Sequence, residues 1–359
     1  MPMRQVHGQI QRYDWGDLKA IPLLLGVEPD GQPQAELWFG THAGGPSTLA
    51  TGRTLEAEVG PLPYLVKVLA AGKPLSLQVH PSSRQAVAGF EREDAAGVAP
   101  NAPQRTYRDP FHKPEIMCAL TPFEALCGIA PYEATDALLT ELGESASELR
   151  TVLGHGGIDA VIGLLLHDRP LLGALLEAAS DHPDPRCIWL CKLGLQYPRD
   201  PAAALVLFLN YVLLQPGEAI FLAAGNLHAY LQGTGVEVMA NSDNVVRAGL
   251  TSKYVDPDEV LRVVDTRPLL DPIVRPVPTD DGGSSYPVPV SDFRVTSYAV
   301  DGSVGFVADG PELLLCTSGE TIEFSQGECV LATHGEAVEL VGTATVFRIG
   351  GAPWIATTD

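Results

Sequence analysis

Leu75-Ser76-Leu77-Gln78-Val79-His80 is the stretch of this chain in which apolar and polar residues alternate strictly. Successive side chains of a strand point to opposite faces of a sheet, so the alternation predicts a strand with one apolar face. The other face presents an amide and an imidazole side by side, on Gln78 and His80. Burying such groups without partners costs free energy. We therefore expect this face to line a polar cavity that other parts of the chain complete.

Length and composition describe a globular protein of two or three domains. The chain has 359 residues, of which 45% are hydrophobic and 19% are charged, and a single core seldom grows to that size. We find no run of about 18 apolar residues of the kind that spans a bilayer. Met1-Pro2-Met3-Arg4 is not followed by the apolar segment of a signal peptide. A cytoplasmic location without membrane association is therefore expected.

The formal net charge of −21 argues against general binding to nucleic acid or to anionic membranes. An anionic ligand would need a local cationic cluster that opposes the field of the whole protein. The six cysteines include only one closely spaced pair, Cys187 and Cys191. Because a thiolate zinc site usually needs two such pairs, we expect reduced core cysteines.

The residue pattern changes several times along the chain. Residues 1–130 contain short strand-like runs separated by Gly and Pro, and residues 131–214 have helix-like spacing, typical of a helical insertion. Within the insertion, Asp200-Pro201 predicts an N-cap that opens a helix over Ala202–Leu214. Strands return over 215–267. Residues 268–292 predict a Pro-rich connector, and 293–359 predict an antiparallel sandwich or jelly roll.

The segment Tyr107–Glu115 concentrates ionisable side chains between two prolines. If the segment is extended, Lys113 and Glu115 face the same way, while His112 faces the opposite way. A lysine and a carboxylate on one face can serve a metal ion and an anionic oxygen together. A solvated loop is the alternative interpretation.

A second alternating run places His228, Tyr230 and Gln232 on one face of a predicted strand. A single histidine on such a face is more often a satisfied core residue than a metal ligand, but a second polar face gives His228 more weight. Glu237 then interrupts an apolar strand, where an isolated carboxylate is either paired or poised for proton transfer.

Two cations, Arg247 and Lys253, lie within the turn-rich segment Asn241–Lys253. The planar guanidinium of arginine suits a phosphate or a pair of neighbouring oxygens. A polar surface loop is the alternative. His334, in a turn bounded by glycine, is expected to be exposed and inert.

Taken together, these segments resemble type I mannose-6-phosphate isomerases, the zinc-dependent members of the cupin superfamily. The resemblance covers nearly the full length and follows the family's order. The matching stretches are QRYDWGD (11–17), AELWFGTHAGGPS (35–47), LPYLVKVLAAGKPLSLQVHPS (62–82), HKPEIMCALTPFEALCGI (112–129) and GEAIFLAAGNLHAYLQGTGVEVMANSDNVVRAGLTSKYVD (217–256).

The resemblance implies a mainly β fold with cupin-type jelly-roll or β-sandwich domains and a helical insertion. Residues 1–130 and 215–267 would form the zinc-binding catalytic domain, and 293–359 a C-terminal β-sandwich. One Zn²⁺ per chain is implied. Its ligands would be Gln78, His80, Glu115 and His228.

The resemblance also implies roles in catalysis and in substrate binding. Arg247, Lys113 and Glu237 match catalytic positions. Glu237 is the first candidate for the general base, with a zinc-bound water or Lys113 as alternatives. Ser82 and Arg84 are further candidates for anion contacts. The predicted substrate-binding residues are Ser82 and the positions that match pocket residues of the family: Trp15, Glu36, His112, Tyr230, Asp243 and Lys253.

The implied reaction interconverts mannose 6-phosphate and fructose 6-phosphate through a cis-enediol or enediolate, on a route such as GDP-mannose biosynthesis. A monomer with a small sugar phosphate as its partner is expected. The alternatives are a non-catalytic sugar-binding cupin, an isomerase of another aldose phosphate, and a site for iron or manganese. The chain departs from the family's motifs at Phe111, at Ser82-Ser83-Arg84 and at Asn226-Leu227, none of them a matched ligand.

Overall fold

The computed structural model of the chain describes residues 3–167 and 172–351, which fold mainly into β-strands. In chain order the strands are β1 (Arg4–His7), β2 (Gln9–Gln11), β3 (Glu36–Gly40), β4 (Thr48–Leu49), β5 (Tyr64–Ala71), β6 (Leu77–Val79), β7 (Glu115–Ala119), β8 (Phe123–Ile129), β9 (Leu209–Leu214), β10 (Ala219–Leu222), β11 (His228–Ala240), β12 (Val246–Gly249), β13 (Ile273–Val274), β14 (Val277–Pro278), β15 (Ser284–Ser285), β16 (Arg294–Val307), β17 (Glu312–Thr321), β18 (Cys329–Ala332) and β19 (Ala337–Gly350).

Eight α-helices accompany the strands in the described part of the chain. They are α1 (Ala20–Leu24), α2 (Leu55–Val59), α3 (Ser83–Ala95), α4 (Tyr132–Glu141), α5 (Ser147–His167), α6 (Leu172–Ala179), α7 (Pro185–Gln196) and α8 (Pro257–Val263). Two 3-10 helices, Gly143–Ala146 and Pro201–Phe208, lie in the same region as α4 to α7.

The first sheet has eleven strands and is organised around β11. The N-terminal part of β11 pairs with β6 and β8, and its C-terminal part pairs with β5 and β7. An irregularity between Tyr230 and Gln232, followed by Gly233 at φ 128°, marks the change of partners. Bulges of this kind bend a strand and redirect its side chains. One strand therefore carries polar side chains into two parts of the sheet.

The second sheet orders its eight strands as β14-β15-β16-β19-β17-β18-β1-β4. Its outer strands β1 and β4 come from the N-terminal region, because Arg4–Val6 pair with β18 and Thr48 and Leu49 pair with β1. The predicted division at residue 293 did not anticipate this pairing across the chain. The end of the predicted C-terminal domain, residues 352–359, lies outside the described residues.

Apolar side chains from both sheets form one shared core. Phe39, Tyr64 and Val66 of the first sheet lie in one cluster with Phe347 of the second sheet. Phe293, which directly precedes β16, belongs to the same cluster. The Tyr64 hydroxyl lies 3.1 Å from the carbonyl oxygens of both Pro311 and Ile349, so its single proton is shared between these two acceptors. A buried tyrosine contributes both apolar area and a polar tip that needs such partners, so Tyr64 fastens the sheets together.

The helical insertion contains α4 to α7, as the spacing predicted, but the prediction for its last part was wrong. The predicted helix over Ala202–Leu214 is a 3-10 helix over Pro201–Phe208 followed by strand β9. Residues 202–209 are uniformly buried, so the run has no polar face whose period could distinguish a helix from a strand. The Asp200 cap itself is present, since its side chain accepts a hydrogen bond from the Ala202 N–H.

One stretch of the insertion, Gly143–His167, is long and apolar enough by composition to span a bilayer, with a mean hydropathy of 1.4. This property was not anticipated from the sequence. Gly157, at φ 67° and ψ −168°, divides α5 into two shorter pieces. Neither piece reaches the roughly 20 residues that a membrane-spanning helix needs. Of the apolar window, 28% is buried. Leu149 and Val161, on either side of the kink, belong to a core cluster that also contains strand residues such as Val79.

The six cysteines are free, and five of them are buried. Burial raises the pKa of the Cys127 thiol to about 12, which disfavours the reactive thiolate.

A pH-dependent contact joins the segment before β7 to the segment before β16. The His112 side chain lies 3.0 Å from an Asp292 carboxylate oxygen, and this hydrogen bond raises the pKa of His112. A raised histidine pKa stabilises the fold below the ordinary value of about 6.5, and the stabilisation is lost as the pH rises through the raised value. We expect Asp292→Asn to lower Tm by about 1–3 °C at acidic pH and to leave it unchanged at alkaline pH.

The Tm of the parent and of the variant would be measured by circular dichroism at pH values below and above the raised pKa of His112. Asp301→Asn removes an exposed carboxylate of β16 and serves as the control. An equal loss at acidic and alkaline pH would contradict the ion pair.

Candidate metal centre and active-site cavity

Three strands bring the predicted metal ligands together. Gln78 lies in β6 and His80 directly follows that strand, while Glu115 begins β7 and His228 begins β11. Gln78 and His228 are direct cross-strand neighbours. The strand β6 is shorter than the predicted Leu75–His80 segment. It still presents Gln78 between the buried residues Leu77 and Val79, as the alternation predicted.

The carboxylate of Glu115 lies between the two imidazoles. Its Oε1 is 3.3 Å from His80 Nε2, and its Oε2 is 3.9 Å from His228 Nε2. One donor atom from each of these three residues fits within 4.8 Å of the others, and all three residues are buried. His80 Nε2 and Glu115 Oε2 have no hydrogen-bond partner in the described part of the chain. Buried polar atoms without partners are costly unless a further group satisfies them.

Backbone carbonyl groups fix the tautomer of both histidines. His80 Nδ1 lies 2.9 Å from the carbonyl oxygen of Asn244, and His228 Nδ1 lies 2.8 Å from that of Asn226. Each Nδ1 must therefore carry the proton, which leaves the Nε2 lone pairs directed at Glu115. Burial lowers the pKa of His80, and burial together with His80 lowers that of His228 to about 3. Both rings are held neutral, as metal-binding imidazoles must be.

Glu115 stays ionised although it is buried. Burial alone would raise its pKa, but the charge of Lys113 opposes burial and the pKa lies well below the usual value. Lys113 Nζ lies 2.9 Å from Glu115 Oε1. The Gln78 amide nitrogen lies 3.3 Å from His228 Nε2, and rotation of the amide by 180° presents its oxygen to the same point. Two imidazoles, one carboxylate and one amide oxygen form a donor set that suits Zn²⁺.

A cavity of about 650 Å³ opens beside these residues. Gln78 and Glu115 form part of its wall. Most of the other predicted site residues line the same cavity. These are Trp15, Glu36, Lys113, Tyr230, Glu237, Asp243, Arg247 and Lys253.

A buried charge network in this wall contains a lysine that was not predicted from the sequence. Lys67 Nζ lies 2.8 Å from Glu237 Oε2 and 3.2 Å from Glu36 Oε1. The Trp38 indole N–H donates a hydrogen bond to Glu36 at 2.9 Å. Burial raises the pKa of Glu237, and the Lys67 ammonium opposes that rise. The two carboxylates in turn raise the pKa of Lys67, although burial alone would lower it.

A signal for Lys67 was present in the sequence. It interrupts the apolar run Tyr64–Ala71 in the same way as Glu237 interrupts its own strand, and the two residues face each other across β5 and β11. Two isolated opposite charges in apolar strands are expected to pair.

Cations without acidic partners gather at another side of the cavity. Arg247 and Lys253 form no ion pair within residues 3–167 and 172–351, and Arg108 stands near both. Burial and the charge of Arg108 lower the pKa of Arg247. Burial and the charges of Arg247 and Arg108 lower that of Lys253. An anion beside these cations would relieve their mutual repulsion.

Asn244 connects two loops beside the site by hydrogen bonds: its own loop, which precedes β12, and the loop of residues 108–111, which precedes β7. Its side-chain amide accepts a hydrogen bond from the backbone N–H of Arg108 and donates to the carbonyl oxygens of Asp109 and Phe111, at 2.7–2.8 Å. Asn244 is fully buried, and its backbone carbonyl oxygen orients the imidazole of His80. Asn244 therefore connects a predicted ligand to the loop that leads to Glu115. Sequence alone carried no signal for this role, because Asn is common in turns.

Two predicted substrate-binding residues are not brought to this cavity. The Ser82 hydroxyl caps helix α3 in a capping box with Gln85. His112 points away from Lys113 towards Asp292, as extended backbone requires. Arg84 is exposed within α3. At the rim, the carboxylate of Asp243 lies 3.4 Å from His42 Nε2, and this contact lowers the pKa of Asp243.

This chain is similar to known proteins over nearly its whole length. Residues 3–132 match the family model for phosphomannose isomerase type I, catalytic domain. The chain is 34% identical to the mannose-6-phosphate isomerase of Salmonella typhimurium, over 93% of this chain and 94% of the relative. It is 32% identical to that of Escherichia coli, over 97% of each chain.

A solved structure of the Salmonella typhimurium mannose 6-phosphate isomerase, bound to its substrate fructose 6-phosphate and zinc, superposes with a TM-score of 0.89. That comparison covers 98% of this chain and 100% of the solved chain, at 31% identity. The predicted fold class, mainly β and cupin-like, is confirmed by this likeness and by the two large sheets. With its buried His-Glu-His cluster, this chain belongs to the type I phosphomannose isomerase family.

Proposed function

We propose that this protein interconverts mannose 6-phosphate and fructose 6-phosphate by moving a proton between C1 and C2 through a cis-enediol or enediolate. One observation carries the proposal. A buried donor cluster, a buried carboxylate–lysine pair and an unpaired cationic group, all within the described residues, open onto a single cavity. Membership of the isomerase family supports the same reaction.

The metal would be held by His80, Glu115, His228 and the amide oxygen of Gln78. The orphaned atoms His80 Nε2 and Glu115 Oε2 support this assignment, since a bound cation satisfies both. With a single carboxylate among its ligands, a bound Zn²⁺ supplies Lewis-acid polarisation of sugar oxygens. We assign one zinc per chain to this centre.

The sugar oxygens would meet fixed positive charge in the cavity wall. Lys113 Nζ lies beside Glu115 and is close enough to the cluster to stabilise an oxygen that gains negative charge. Such preorganised charge lowers the barrier most where water is excluded. Arg247 and Lys253 would bind the phosphate and the neighbouring oxygens, because they lack acidic partners in the described part of the chain. Binding the phosphate provides energy remote from the reacting carbons.

Glu237 is the best-placed general base. It lines the cavity, it is buried, and burial raises its pKa towards the range in which a carboxylate accepts protons at neutral pH. Lys67 would hold the carboxylate in position through its 2.8 Å contact. Lys113 is a weaker candidate, because Glu115 already engages its ammonium group. Tyr230 and Trp15 would complete the wall against which the sugar packs.

We also propose that the enzyme acts as a cytoplasmic monomer on a small sugar phosphate, without nucleic-acid or membrane partners, and that its product feeds nucleotide-sugar synthesis such as that of GDP-mannose. The net charge of −21 supports the absence of polyanionic partners. Light scattering on the purified chain tests the oligomeric state.

Metal removal tests the centre. Dialysis against EDTA is expected to abolish isomerase activity, measured in a coupled assay with mannose 6-phosphate, and zinc is expected to restore it. Metal analysis should give one zinc per chain for the parent and for Cys187→Ser, a control that removes a thiol far from the cluster. His80→Ala should lose the metal, and full zinc content in that variant would contradict the ligand assignment.

Replacing Glu237 tests the general base. Glu237→Gln keeps the shape and an oxygen for Lys67 but removes the basic carboxylate, so kcat should fall by about 10²–10⁴ with little change in KM. Steady-state kinetics measure the effect. Glu218→Gln, a glutamate outside the cavity, is the control. Near-normal turnover of the Glu237 variant would exclude this residue as the base.

Replacing Arg247 tests the cationic group. Because Arg247 has no acidic partner in residues 3–167 and 172–351, Arg247→Ala should leave Tm nearly unchanged. The kcat/KM for mannose 6-phosphate should fall by about 10–10²-fold, the value of a hydrogen bond to a charged group. Arg267→Ala removes an exposed, ion-paired arginine and is the control. A large drop in Tm with unchanged kcat/KM would refute the assignment.

A further inference from the structure

A strained turn follows strand β12 at the edge of the cavity. Leu250 has φ +56° and is the only residue other than glycine with a positive φ in the described part of the chain. Its side chain is buried, with 2% exposure. L-residues rarely adopt this conformation, and they keep it only where the surrounding structure enforces it.

Asp200 of the helical insertion holds this turn in place. Its Oδ2 accepts a hydrogen bond from the Leu250 backbone N–H at 2.6 Å. Its Oδ1 accepts one from the Ala202 N–H at 3.0 Å and so caps the 3-10 helix Pro201–Phe208. One carboxylate thus uses its two oxygens for two segments, its own helix and a turn 50 residues later in the chain.

The neighbouring residue allows this close approach. A Cβ atom at Gly249 would lie 2.2 Å from the Cβ of Ala202 and 3.2 Å from Asp200 Oδ2. Glycine is therefore required where the insertion packs on the turn. Ala248 and Ala202, both small and buried, belong to the same core cluster.

The turn forms part of the cavity wall. Leu250, Thr251, Ser252 and Lys253 all line the cavity. On its other side the turn continues β12, in which Arg247 pairs with the predicted ligand Gln78 across β6. The register of this pairing shifts between Arg247 and Gly249, as it does at bulges beside active sites. The conformation of Leu250 therefore fixes the path of the chain between Arg247 and Lys253.

We propose that Asp200 is a positioning residue for substrate binding: through the Leu250 N–H, the helical insertion sets the spacing between Arg247 and Lys253 and thereby the affinity for the phosphate group. The inference rests on the proposed function of these two cations. It assigns to the insertion a direct role in the active site, although Asp200 itself does not line the cavity wall.

Asp200→Ser separates the two tasks of the carboxylate. Serine has one side-chain oxygen and is a good N-cap, so it should keep the helix cap while the Leu250 N–H loses its acceptor. We expect the dissociation constant for inorganic phosphate and the KM for mannose 6-phosphate to rise about tenfold, with kcat changed less than about threefold and zinc content unchanged. Asp200→Asn, which has one acceptor oxygen and similar shape, should show a smaller loss in the same direction.

Asp184→Ser is the matched control. Asp184 also precedes a proline and caps a helix of the insertion, through the Arg186 N–H at 2.8 Å. Among the described residues it has no hydrogen bond to the turn after β12. A general weakening of the insertion would affect both serine variants equally, whereas the proposed role predicts weaker phosphate binding for Asp200→Ser alone.

Calorimetric titration with inorganic phosphate and steady-state kinetics provide the readouts, at a temperature where circular dichroism shows every variant folded. Phosphate binding and KM within about twofold of the parent values in Asp200→Ser would overturn the inference and leave the proposed function intact. A parent protein that binds neither phosphate nor mannose 6-phosphate would overturn both. If Asp200→Ser does not fold, Asp200→Asn takes its place: a rise of about threefold or more in the phosphate dissociation constant and in KM would support the inference, and a smaller change would overturn it.

Discussion

The buried negative charge of Glu115 is the constraint on which the site depends. A carboxylate in a protein interior is strongly unfavourable unless cations or hydrogen-bond donors compensate for it. Here Lys113 lies within 2.9 Å, and two neutral imidazoles direct their lone pairs towards the same point. Lone pairs cannot satisfy a carboxylate, so the arrangement is complete only with a cation between them. Zinc binding and the ionised state of Glu115 therefore support each other.

Strand β11 carries both a proposed metal ligand and the proposed general base. It presents His228 to the metal cluster and Glu237 to Lys67, and it changes pairing partners between them. Both side chains are carried by backbone that is hydrogen-bonded on two sides. Groups on such rigid elements keep their positions when substrate binds. The bend near Gly233 allows one strand to supply a proposed metal ligand and the proposed base to the same cavity.

The cations of the site fall into two groups, those paired with carboxylates and those without acidic partners in the described part of the chain. Lys67 and Lys113 are paired with carboxylates and hold the proposed catalytic groups, while Arg247 and Lys253 have no acidic partners among the described residues. The positive charge of this second pair is not neutralised by a protein carboxylate within residues 3–167 and 172–351, so it is available for an anion. The overall charge of −21 disfavours anions in general, so selectivity for a sugar phosphate must come from this local group and its spacing.

Sequence alone determined the mainly β fold, the helical insertion and the choice of the four proposed ligands, because strand alternation and the family's motifs are local properties of the chain. Tertiary structure alone decided that Asn244 orients His80, that Asp200 holds Leu250, and that Ser82 and His112 are engaged elsewhere. It also decided which strands share a sheet, as β1 and β4 show. The physical reason is that such contacts join residues distant in the chain, whose separation leaves no periodic trace in the sequence.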